Sequence, residues 1–419
     1  MTKKIYKKYL YALALIILTV ISLRLLGRNE KFLNYFAHYY FDQNYYLEHY
    51  PEVKSQNIDP FEHYVKHGWM EGKNPSATFE TTFYVRQYFR EPIFKNKYNL
   101  NPLADYAKSK LFFKEAHLTN SKQVLKTTLL ASPKYYISLV AIFQNEARFL
   151  KEWIEFYRLM GVEHFYLYNH LSTDEYMAVL EPYIKDGIVD LKQVTEVPKN
   201  LKHWNQIQTE AYTDATQRTK DISEWLVVVD TDEFLFPIKD ENLIELLKKY
   251  DDYAALSVDW KIFGSGDVEK IETNKLMIES LTKSTDQEDL RVKTIVKPRY
   301  VDKFEHPHFP FLLPGYSQVT ENFEYFRGPF VPTESRNIVT INHYWARDWD
   351  FFKSHKLARV HMAGNGPIND EKQLAINTLI KTNQAASVTY DNSILKYVKD
   401  LRDRMGMDPS SGANLMKKD

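Results

Sequence analysis

The chain of 419 residues contains no cysteine, and no Asn-x-Ser/Thr sequence in it has a residue other than proline in the middle position. A disulfide framework and N-glycosylation are therefore both excluded, and these absences weigh against the lumen of a secretory pathway. The chain also has no excess of charge, because Lys plus Arg and Asp plus Glu each number 55. This balance predicts no nucleic-acid partner.

Two signatures of nucleotide-binding loops are missing as well. The chain has no G-x-x-x-x-G-K-[ST] phosphate loop, and no G-x-G-x-x-G follows the first apolar strand that the pattern predicts, Tyr136–Phe143. A nucleotide would therefore have to be bound in another way, and acidic side chains that share a divalent cation are the remaining candidate.

Such side chains lie within the run from Trp225 to Phe236, in which the apolar residues Trp225–Val229 lead into an acidic triplet. An apolar run of this length predicts a buried parallel strand, and parallel strands open into a ligand crevice at their carboxyl ends. If the extended geometry continues, Asp230 and Asp232 leave the strand on the same face. Their oxygens suit Mn²⁺ or Mg²⁺, which would neutralise a departing diphosphate. The alternative is that an aspartate here only caps the next turn.

Strands and helices alternate before this run. Apolar strands are predicted at 136–143, 165–168 and 188–191, and helices are predicted from about 147 to Gly161, up to about Lys185, and from about Asn205 to Arg218. This alternation predicts an α/β fold with a doubly wound, mostly parallel sheet and a ligand site at the carboxyl ends of its strands.

Ordered motifs in this part of the chain resemble glycosyltransferase family 92 and its bacterial relatives of family 2 type. The motifs are Val140–Glu155, Gly161–Phe165 with Ser172–Asp174, Gln208 with Tyr212 and Arg218, Asp230–Phe234, Trp260–Ser265, Lys293–Pro298 and Ile341–Tyr344. The resemblance implies a Rossmann-like GT-A domain over 134–360, a nucleotide-sugar donor with UDP-hexose preferred, a divalent metal, and inversion at the anomeric carbon. Gly266-Asp267 departs from the family pattern, which often has a small residue, Gly and His there.

The resemblance also implies roles for single residues. It assigns donor binding to Asn145, Glu146, Asp174, Gln208 and Asp230, and metal binding to Asp230, Asp232 and His343, with Mn²⁺ or Mg²⁺ as the ion. Asn145 and Asp174 are equally well explained as caps of the helices that follow them, and a lone histidine is often only structural.

An inverting transfer also needs a general base close to the acceptor hydroxyl. Asp267 is the candidate, because it follows the Phe263–Gly266 loop that is expected to border the sugar. A turn residue would look the same in the sequence. The other candidates are Glu288, Asp289, His306 and His308.

A repeat of about forty residues precedes the catalytic region. Phe41–Tyr46 recurs in degraded form as Phe79–Tyr84, and Asp59–Tyr64 recurs as Asn101–Tyr106. The segment 32–115 resembles the short aromatic repeats attached to bacterial polysaccharide glycosyltransferases. We expect a small helical domain whose aromatic side chains form its own core rather than a platform for sugars. Residues 116–133 are then a linker, and 361–419 a C-terminal helix with a polar tail.

Residues 1–31 predict a membrane anchor. Four lysines precede the apolar run Tyr9–Leu23, which lies at the short limit for spanning the hydrocarbon and has no small-residue cleavage site. We expect an uncleaved single-pass or interfacial helix at the bacterial inner membrane, with the enzyme on the cytoplasmic face. A Golgi membrane with a lumenal enzyme is the alternative.

Two functions follow for the whole chain. The first is a metal-dependent glycosyltransferase that moves a hexose, galactose among the candidates, from a UDP-sugar to a glycan or lipid-linked oligosaccharide during surface polysaccharide or lipopolysaccharide synthesis. The second is a catalytically silent, membrane-tethered GT-A module that binds a glycan or a partner enzyme. The complete set of Asp230, Asp232 and His343 favours the first.

Overall fold

The structure is a computed structural model that describes residues 29–55, 58–89, 100–112, 117–358 and 370–408. These residues form two compact units. The helical unit comprises the described residues up to Leu125 together with Tyr325–Arg327, and the sheet unit comprises the rest from Lys126. The anchor expected at 1–31 lies outside the described residues except for its last three. Among the residues that are described, no helix is long and apolar enough to cross a membrane.

The described residues of the helical unit form short helices. They are α1 (Glu30–Ala37), α2 (Gln43–His49), α3 (Pro51–Ser55), α4 (Pro60–His63), α5 (Thr81–Tyr88) and α6 (Pro102–Phe112). Asparagine or aspartate side chains cap several of their amino termini. Asp42 accepts hydrogen bonds from the backbone of Asn44 and Tyr45 at the start of α2, for example.

The two copies of the repeat form equivalent contacts. In the first copy the Tyr46 hydroxyl lies 3.0 Å from Nδ1 of His63. In the second copy the Tyr84 hydroxyl donates to Asp105 at 2.9 Å. Tyr84 occupies the repeat position of Tyr46, and Asp105 occupies that of His63, so the repeated sequence pattern corresponds to a repeated three-dimensional arrangement.

Most aromatic side chains of the repeat, some buried and more of them partly buried, pack in one apolar cluster. Tyr46, Tyr64 and Tyr84 have no exposed surface and belong to one apolar cluster with Phe79. The aromatics therefore form a core, as the sequence predicts. Tyr39 differs, because 76% of its surface is exposed.

The sheet unit alternates strands and helices. Its helices are α7 (Ala147–Leu159), α8 (Tyr176–Lys185), α9 (Leu201–Thr219), α10 (Leu243–Leu247), α11 (Met277–Ser280), α12 (Trp349–Phe351), α13 (Asp370–Ala385) and α14 (Val398–Met405). The strands of the chain are β1 (Tyr135–Phe143), β2 (His164–His170), β3 (Val189–Val194), β4 (Ser223–Val228), β5 (Glu233–Pro237), β6 (Ala255–Ile262), β7 (Lys283–Ser284), β8 (Val292–Val296), β9 (Val301–His306), β10 (Phe309–Leu312), β11 (Gln318–Val319), β12 (Tyr325–Phe326, in the helical unit), β13 (Val339–His343) and β14 (Thr389–Tyr390).

The central sheet is mixed and mostly parallel. Its order is β11-β6-β8-β4-β1-β2-β3, and β13 pairs with both β6 and β5. Strands β4, β1, β2 and β3 run parallel, whereas β8 is antiparallel to both β4 and β6. The predicted α/β class with a mostly parallel sheet is confirmed, and the carboxyl ends of β1, β2 and β4 lie along one edge.

Helices α7 and α9 fix the strands on which the candidate site depends. Ile207 and Tyr212 of α9 pack with Val140 of β1 and Leu226 of β4 in one buried cluster. From α7, Trp153 Nε1 donates to the Glu233 carbonyl at the start of β5 at 3.0 Å. Two helices that precede the turn between β4 and β5 in the sequence therefore hold the strands on either side of it.

The segment after α13 packs against the loop that follows β6. The amide of Gly264 donates to the Ala386 carbonyl at 2.7 Å, and the amide of Ser265 donates to the Asn383 side chain at 2.8 Å. A Cβ at position 264 would lie 2.4 Å from the Asn383 carbonyl oxygen, so this approach requires glycine. The described residues 370–408 accordingly belong to the sheet unit.

Candidate functional site

The loops after β1 and β2 are tied together by the first predicted donor residues. Asn145 has a positive φ of 58°, and its side-chain oxygen accepts the Thr173 amide at 2.7 Å. The Asp174 carboxylate accepts the Ala147 amide at the start of α7 at 2.8 Å. Neither side chain caps the helix that directly follows it, because Asn145 bonds to the loop after β2 and Asp174 bonds to the first residue of α7. One Asp174 oxygen, Oδ1, is buried and without a hydrogen-bond partner among the described residues.

Glu146, next to Asn145, pairs with Arg347, which lies 201 residues later in the sequence. Its Oε2 accepts a hydrogen bond of 2.8 Å from the guanidinium of Arg347. Burial raises the pKa of Glu146, and the charge of Arg347 opposes that rise. Glu146 thus acts as the counter-charge for a buried arginine at the edge where β1 ends.

A turn carries the acidic triplet. Strand β4 ends at Val228 and β5 begins at Glu233, and the Asp230 amide donates to Oε2 of Glu233 at 2.8 Å. The extended geometry of β4 therefore does not continue through Asp230 and Asp232, although their leaving on one face depended on it. Instead of leaving on one face, Asp230 and Asp232 contact different sets of partners.

Asp230 is surrounded by donors on both of its oxygens. Oδ1 accepts hydrogen bonds of 2.8 Å each from Gln208 and Tyr212, which lie one turn apart on α9. Oδ2 accepts a hydrogen bond of 2.9 Å from Lys293 of β8. Gln208, predicted to bind the donor, is thus observed as a residue that positions Asp230.

Lys293 is a buried cation between two carboxylates. Its Nζ lies 2.9 Å from Asp230 and 3.7 Å from Glu233, and its side chain is 1% exposed. Burial alone would lower the pKa of Lys293, but Asp230 and Glu233 hold it well above its usual value. Burial also raises the pKa of Glu233 well above that of an ordinary glutamate. The three groups form one mutually dependent cluster.

Asp232 faces a histidine and two cations. Its Oδ1 lies 3.5 Å from Nε2 of His343, the last residue of β13. Its Oδ2 lies 3.7 Å from the Lys356 ammonium and 4.0 Å from the Arg347 guanidinium. Burial would raise the pKa of Asp232, but His343 and the two cations hold it well below its usual value. The carboxylate is therefore ionised at neutral pH.

Strand pairing explains why His343 reaches Asp232. In the antiparallel pair of β13 and β5, His343 lies opposite Glu233, the residue after Asp232. The His343 ring packs on Trp260 with the centroids 4.4 Å apart. The sequence therefore places Asp232 and His343 together through two strands more than a hundred residues apart.

Arg347 links the end of β1 to the turn between β4 and β5. It has a positive φ of 59°, and its guanidinium donates to Glu146 at 2.8 Å and to the Thr231 carbonyl at 2.9 Å. Its side chain is 1% exposed. A buried arginine with charge-assisted bonds to both the β1 end and the acidic turn fixes the geometry of the site.

The donor set fits a divalent cation in part. A hard cation about 2.1 Å from two ligands at right angles separates them by about 3 Å, and Asp232 and His343 are 3.5 Å apart. Asp230 does not complete the set as it stands, since Lys293 occupies its second oxygen. Within the described ranges, no group of three or more His, Asp or Glu side chains is arranged to hold a metal ion.

Asp267, the predicted base, lies apart from this cluster of charges. Its side chain is 91% exposed, and its carboxylate contacts Lys283 at 2.5 Å. The adjacent carbonyl of Gly266 accepts a hydrogen bond of 3.0 Å from the Trp349 indole, two residues beyond Arg347. The loop of Asp267 therefore contacts the segment that follows Arg347, without direct contact between Asp267 and the aspartates.

The other candidate bases differ in environment. Glu288 is exposed, and Asp289 is paired with Arg291 at 2.6 Å.

His308, another candidate base, packs on Trp260, the ring that also supports His343. Burial and the nearby charge of Lys293 lower the pKa of His308 to about 3. His306 Nδ1 accepts the His308 amide at 3.2 Å. A base with so low a pKa accepts a proton poorly near neutral pH.

Three cations of the site received no role from the sequence. The sequence could have pointed to Lys293, because a lysine inside a buried strand must find a buried counter-charge. Arg347 follows the Ile341–Tyr344 motif by three residues, but no spacing rule connects it to Glu146 or Thr231. Lys356 lies beyond the motifs altogether.

Comparison with known proteins identifies relatives of the sheet unit. The sequence profile of glycosyltransferase family 92 matches residues 134–363. A family 92 protein of Ricinus communis is 24% identical over 226 residues, which are 53% of this chain and 37% of the relative. One from Oryza sativa subsp. japonica is 25% identical over 222 residues, 52% of this chain and 35% of the relative. The chain thus spans little more than a third of the length of these plant proteins.

Solved structures of bacterial proteins show a more distant similarity. S. aureus TarS 1–349 in complex with UDP is 10% identical, with a TM-score of 0.28, over 67% of this chain and 75% of TarS. The same protein in complex with UDP-GlcNAc has a TM-score of 0.29 and covers 63% of this chain and 80% of its own.

Proposed function

We propose that this chain, which belongs to glycosyltransferase family 92, transfers a hexose from a nucleoside diphosphate sugar to a glycan acceptor at the site around Asp230 and Asp232. The family profile covers 134–363, and this part of the chain is a glycosyltransferase domain. The finer assignments belong to the proposal: a GT-A domain, UDP as the nucleotide, and inversion of the anomeric carbon by direct displacement.

The observation that carries the proposal is the cluster of one histidine and two cations around Asp232. His343, Arg347 and Lys356 all lie within 4.0 Å of its carboxylate. When a sugar leaves a nucleoside diphosphate, negative charge develops on the diphosphate. Preorganised guanidinium and ammonium groups stabilise such charge without reorganising during the reaction. One carboxylate beside a guanidinium, an ammonium and an imidazole therefore suits a departing diphosphate.

Asp232 and His343 would hold the Mn²⁺ or Mg²⁺ that the proposal includes. When bound there, the ion would supply further neutralisation of charge on the diphosphate oxygens. The low pKa of Asp232 keeps its carboxylate available as a ligand at neutral pH. Arg347 holds Glu146 and the acidic turn in place and is a positioning residue for the same site.

The nucleoside is proposed to lie at the ends of β1 and β4. The Asp230 side chain is 29% exposed, so its carboxylate can accept a hydrogen bond from a ribose hydroxyl while Gln208 and Tyr212 hold its orientation. Asn145, Glu146 and Asp174 border the same edge of the sheet. Oδ1 of Asp174, which lacks a partner among the described residues, is an acceptor that a base could use.

Asp267 is proposed as the general base. Its carboxylate is exposed and pairs with a half-exposed lysine, an arrangement that an acceptor hydroxyl can enter without breaking a buried contact. The acceptor is proposed to be a surface polysaccharide or lipid-linked oligosaccharide. Residues 1–31 would then attach the chain to a bacterial inner membrane with the sheet unit on the cytoplasmic face, or to a Golgi membrane in the alternative.

The decisive experiment measures nucleotide binding and donor hydrolysis together. The full chain is incubated with a panel of nucleotide sugars and Mn²⁺, nucleotide release is followed, and UDP affinity is measured by calorimetry with and without chelator. Asp232→Asn removes a charged ligand and should weaken Mn²⁺-dependent UDP binding at least about tenfold. The fold should persist, because the substitution preserves side-chain size.

Asp221→Asn is the matched control, since Asp221 is exposed in the turn after α9. It should bind UDP as the wild type does. Equal UDP affinity of Asp232→Asn and wild type in Mn²⁺ would show that Asp232 is no metal ligand. UDP binding without release of nucleotide from any donor of the panel would favour a catalytically silent module.

A further inference from the structure

We propose that the helical unit contains a saccharide-binding cleft, between the starts of its two repeats, that takes a neutral pyranose oligosaccharide. The cleft lies wholly within the helical unit. Its occupation by a saccharide does not depend on the reaction proposed for the sheet unit, and it can be measured without a nucleotide sugar.

The cleft has a volume of about 760 Å³, within the range of about 300–1,000 Å³ that is usual for small-ligand sites. Phe41 and Phe79, which are equivalent positions of the two repeats, both line it. The two repeat starts are joined by a hydrogen bond of 2.9 Å from the Asp42 amide to the Pro75 carbonyl. The cleft is therefore a product of the repeat architecture and not an irregularity of one loop.

Aromatic rings form the apolar part of the cleft. Tyr40 and Tyr106 pack edge to face with their centroids 4.9 Å apart, and Phe79 lies 5.7 Å from Tyr106. These contacts fix the rings before any ligand arrives. Tyr39, 76% exposed, is the aromatic residue of the cleft that is free to cover a ligand. Pyranose rings present C–H groups on one face, which suit the negative face of an aromatic ring.

Short polar side chains form the rest of the cleft lining. Gln43 and Asn44 are exposed, and neither side chain forms a hydrogen bond with another described residue. The hydroxyls of Ser76 and Thr78 line the same cleft. Amides and hydroxyls both donate and accept, so they can match sugar hydroxyls, which do the same.

Charge decides between ligand classes. Among the residues that the structure describes, Asp42 is the only charged residue that lines the cleft, and no lysine or arginine does. A phosphate, a nucleotide or an acidic polysaccharide would find no cation among these lining residues and would meet the charge of Asp42. A neutral saccharide can pack its C–H groups on the aromatic rings and form hydrogen bonds with the side-chain amides, and neither contact requires a cation.

The test is binding of the full chain to defined neutral oligosaccharides, by glycan array and then by saturation-transfer NMR, without nucleotide sugar. Wild type should bind at least one member of the panel. Tyr39→Ala removes the exposed ring and should weaken that binding at least about tenfold, within the range known for buried aromatic contacts in binding sites. Asn44→Ala should weaken it less, because it removes one polar partner.

Tyr35→Ala is the matched control, because Tyr35 is 68% exposed on α1 and does not line the cleft. It should bind as wild type does. Absence of binding to every neutral oligosaccharide at millimolar concentration would overturn the proposal. So would equal losses for Tyr35→Ala and Tyr39→Ala, or preferential binding of acidic glycans.

Discussion

The helical unit and the sheet unit bury their polar groups differently. In the helical unit a tyrosine hydroxyl meets one or two partners nearby in the sequence, as Tyr46 meets His63 and Tyr64 meets Thr81. In the sheet unit Lys293 is buried between Asp230 and Glu233, which come from another strand and turn. A neutral hydrogen bond contributes modestly to stability, whereas a buried charge depends on its partners for its presence in the interior.

This difference indicates which substitutions should destabilise each unit. Loss of one hydroxyl in the helical unit leaves apolar packing intact. Loss of one charge in the sheet unit leaves opposite charges without compensation at the position that carries the proposed chemistry. Site geometry and stability are therefore coupled in the sheet unit and separable in the helical unit.

The largest expected effect is that of Lys293→Met. The substitution retains length and apolar contact but leaves Asp230 and Glu233 without their cation, which should destabilise the sheet unit by about 3–5 kcal/mol. Urea unfolding measures the change. Lys248→Met removes an exposed ion pair with Glu245 and should cost no more than about 1 kcal/mol. Equal effects of the two substitutions would show that the buried charge of Lys293 stabilises the sheet unit no more than an exposed charge does.

A smaller effect concerns Asp259 of β6, which accepts the Ser335 amide at 3.3 Å. Burial raises the pKa of Asp259 to about 7. Because the folded-state pKa exceeds the unfolded one, the contribution to stability is complete below the unfolded pKa, about 3.9, and is lost as the pH rises through about 7. Asp259→Asn should therefore gain roughly 2 kcal/mol relative to wild type between pH 5 and pH 8.

Denaturant unfolding at a series of pH values measures this change. Asp302→Asn, at an exposed position of β9, is the control and should parallel the wild type. A constant difference between Asp259→Asn and wild type from pH 5 to pH 8 would show that the buried carboxyl does not titrate in that window.

The sequence predicts those features that follow from local patterns. The apolar run before Asp230 predicts a buried strand, and β4 is buried throughout. Phe149, Trp153 and Tyr157 predict a helix, and α7 buries all three. In the helical unit the recurrence of Tyr46 as Tyr84 predicts equivalent surroundings, which both hydroxyls have.

The rest depends on contacts between distant residues. Arg347 and Glu146 are 201 residues apart, and Lys293 and Asp230 are 63 apart, so no periodicity links them. The turn after Val228 also redirects Asp230 and Asp232, because the Asp230 amide bonds to the Glu233 side chain and ends the strand. The roles of Asp267, Asp232 and His343 in catalysis and metal binding stay predictions.

The smallest expected effect is that of Tyr46→Phe, which is compared with the equivalent substitution in the other repeat. Tyr46→Phe removes a bond to His63 and should cost about 1 kcal/mol, the typical net value of a hydrogen bond. Tyr84→Phe removes bonds to Asp105 and to His117 at 2.7 Å and should cost about 1.5–3 kcal/mol, because bonds to charged groups are stronger. Tyr35→Phe, at an exposed position, controls for the loss of a hydroxyl. If Tyr46→Phe and Tyr84→Phe leave stability as unchanged as Tyr35→Phe does, the repeat is held by ring packing alone.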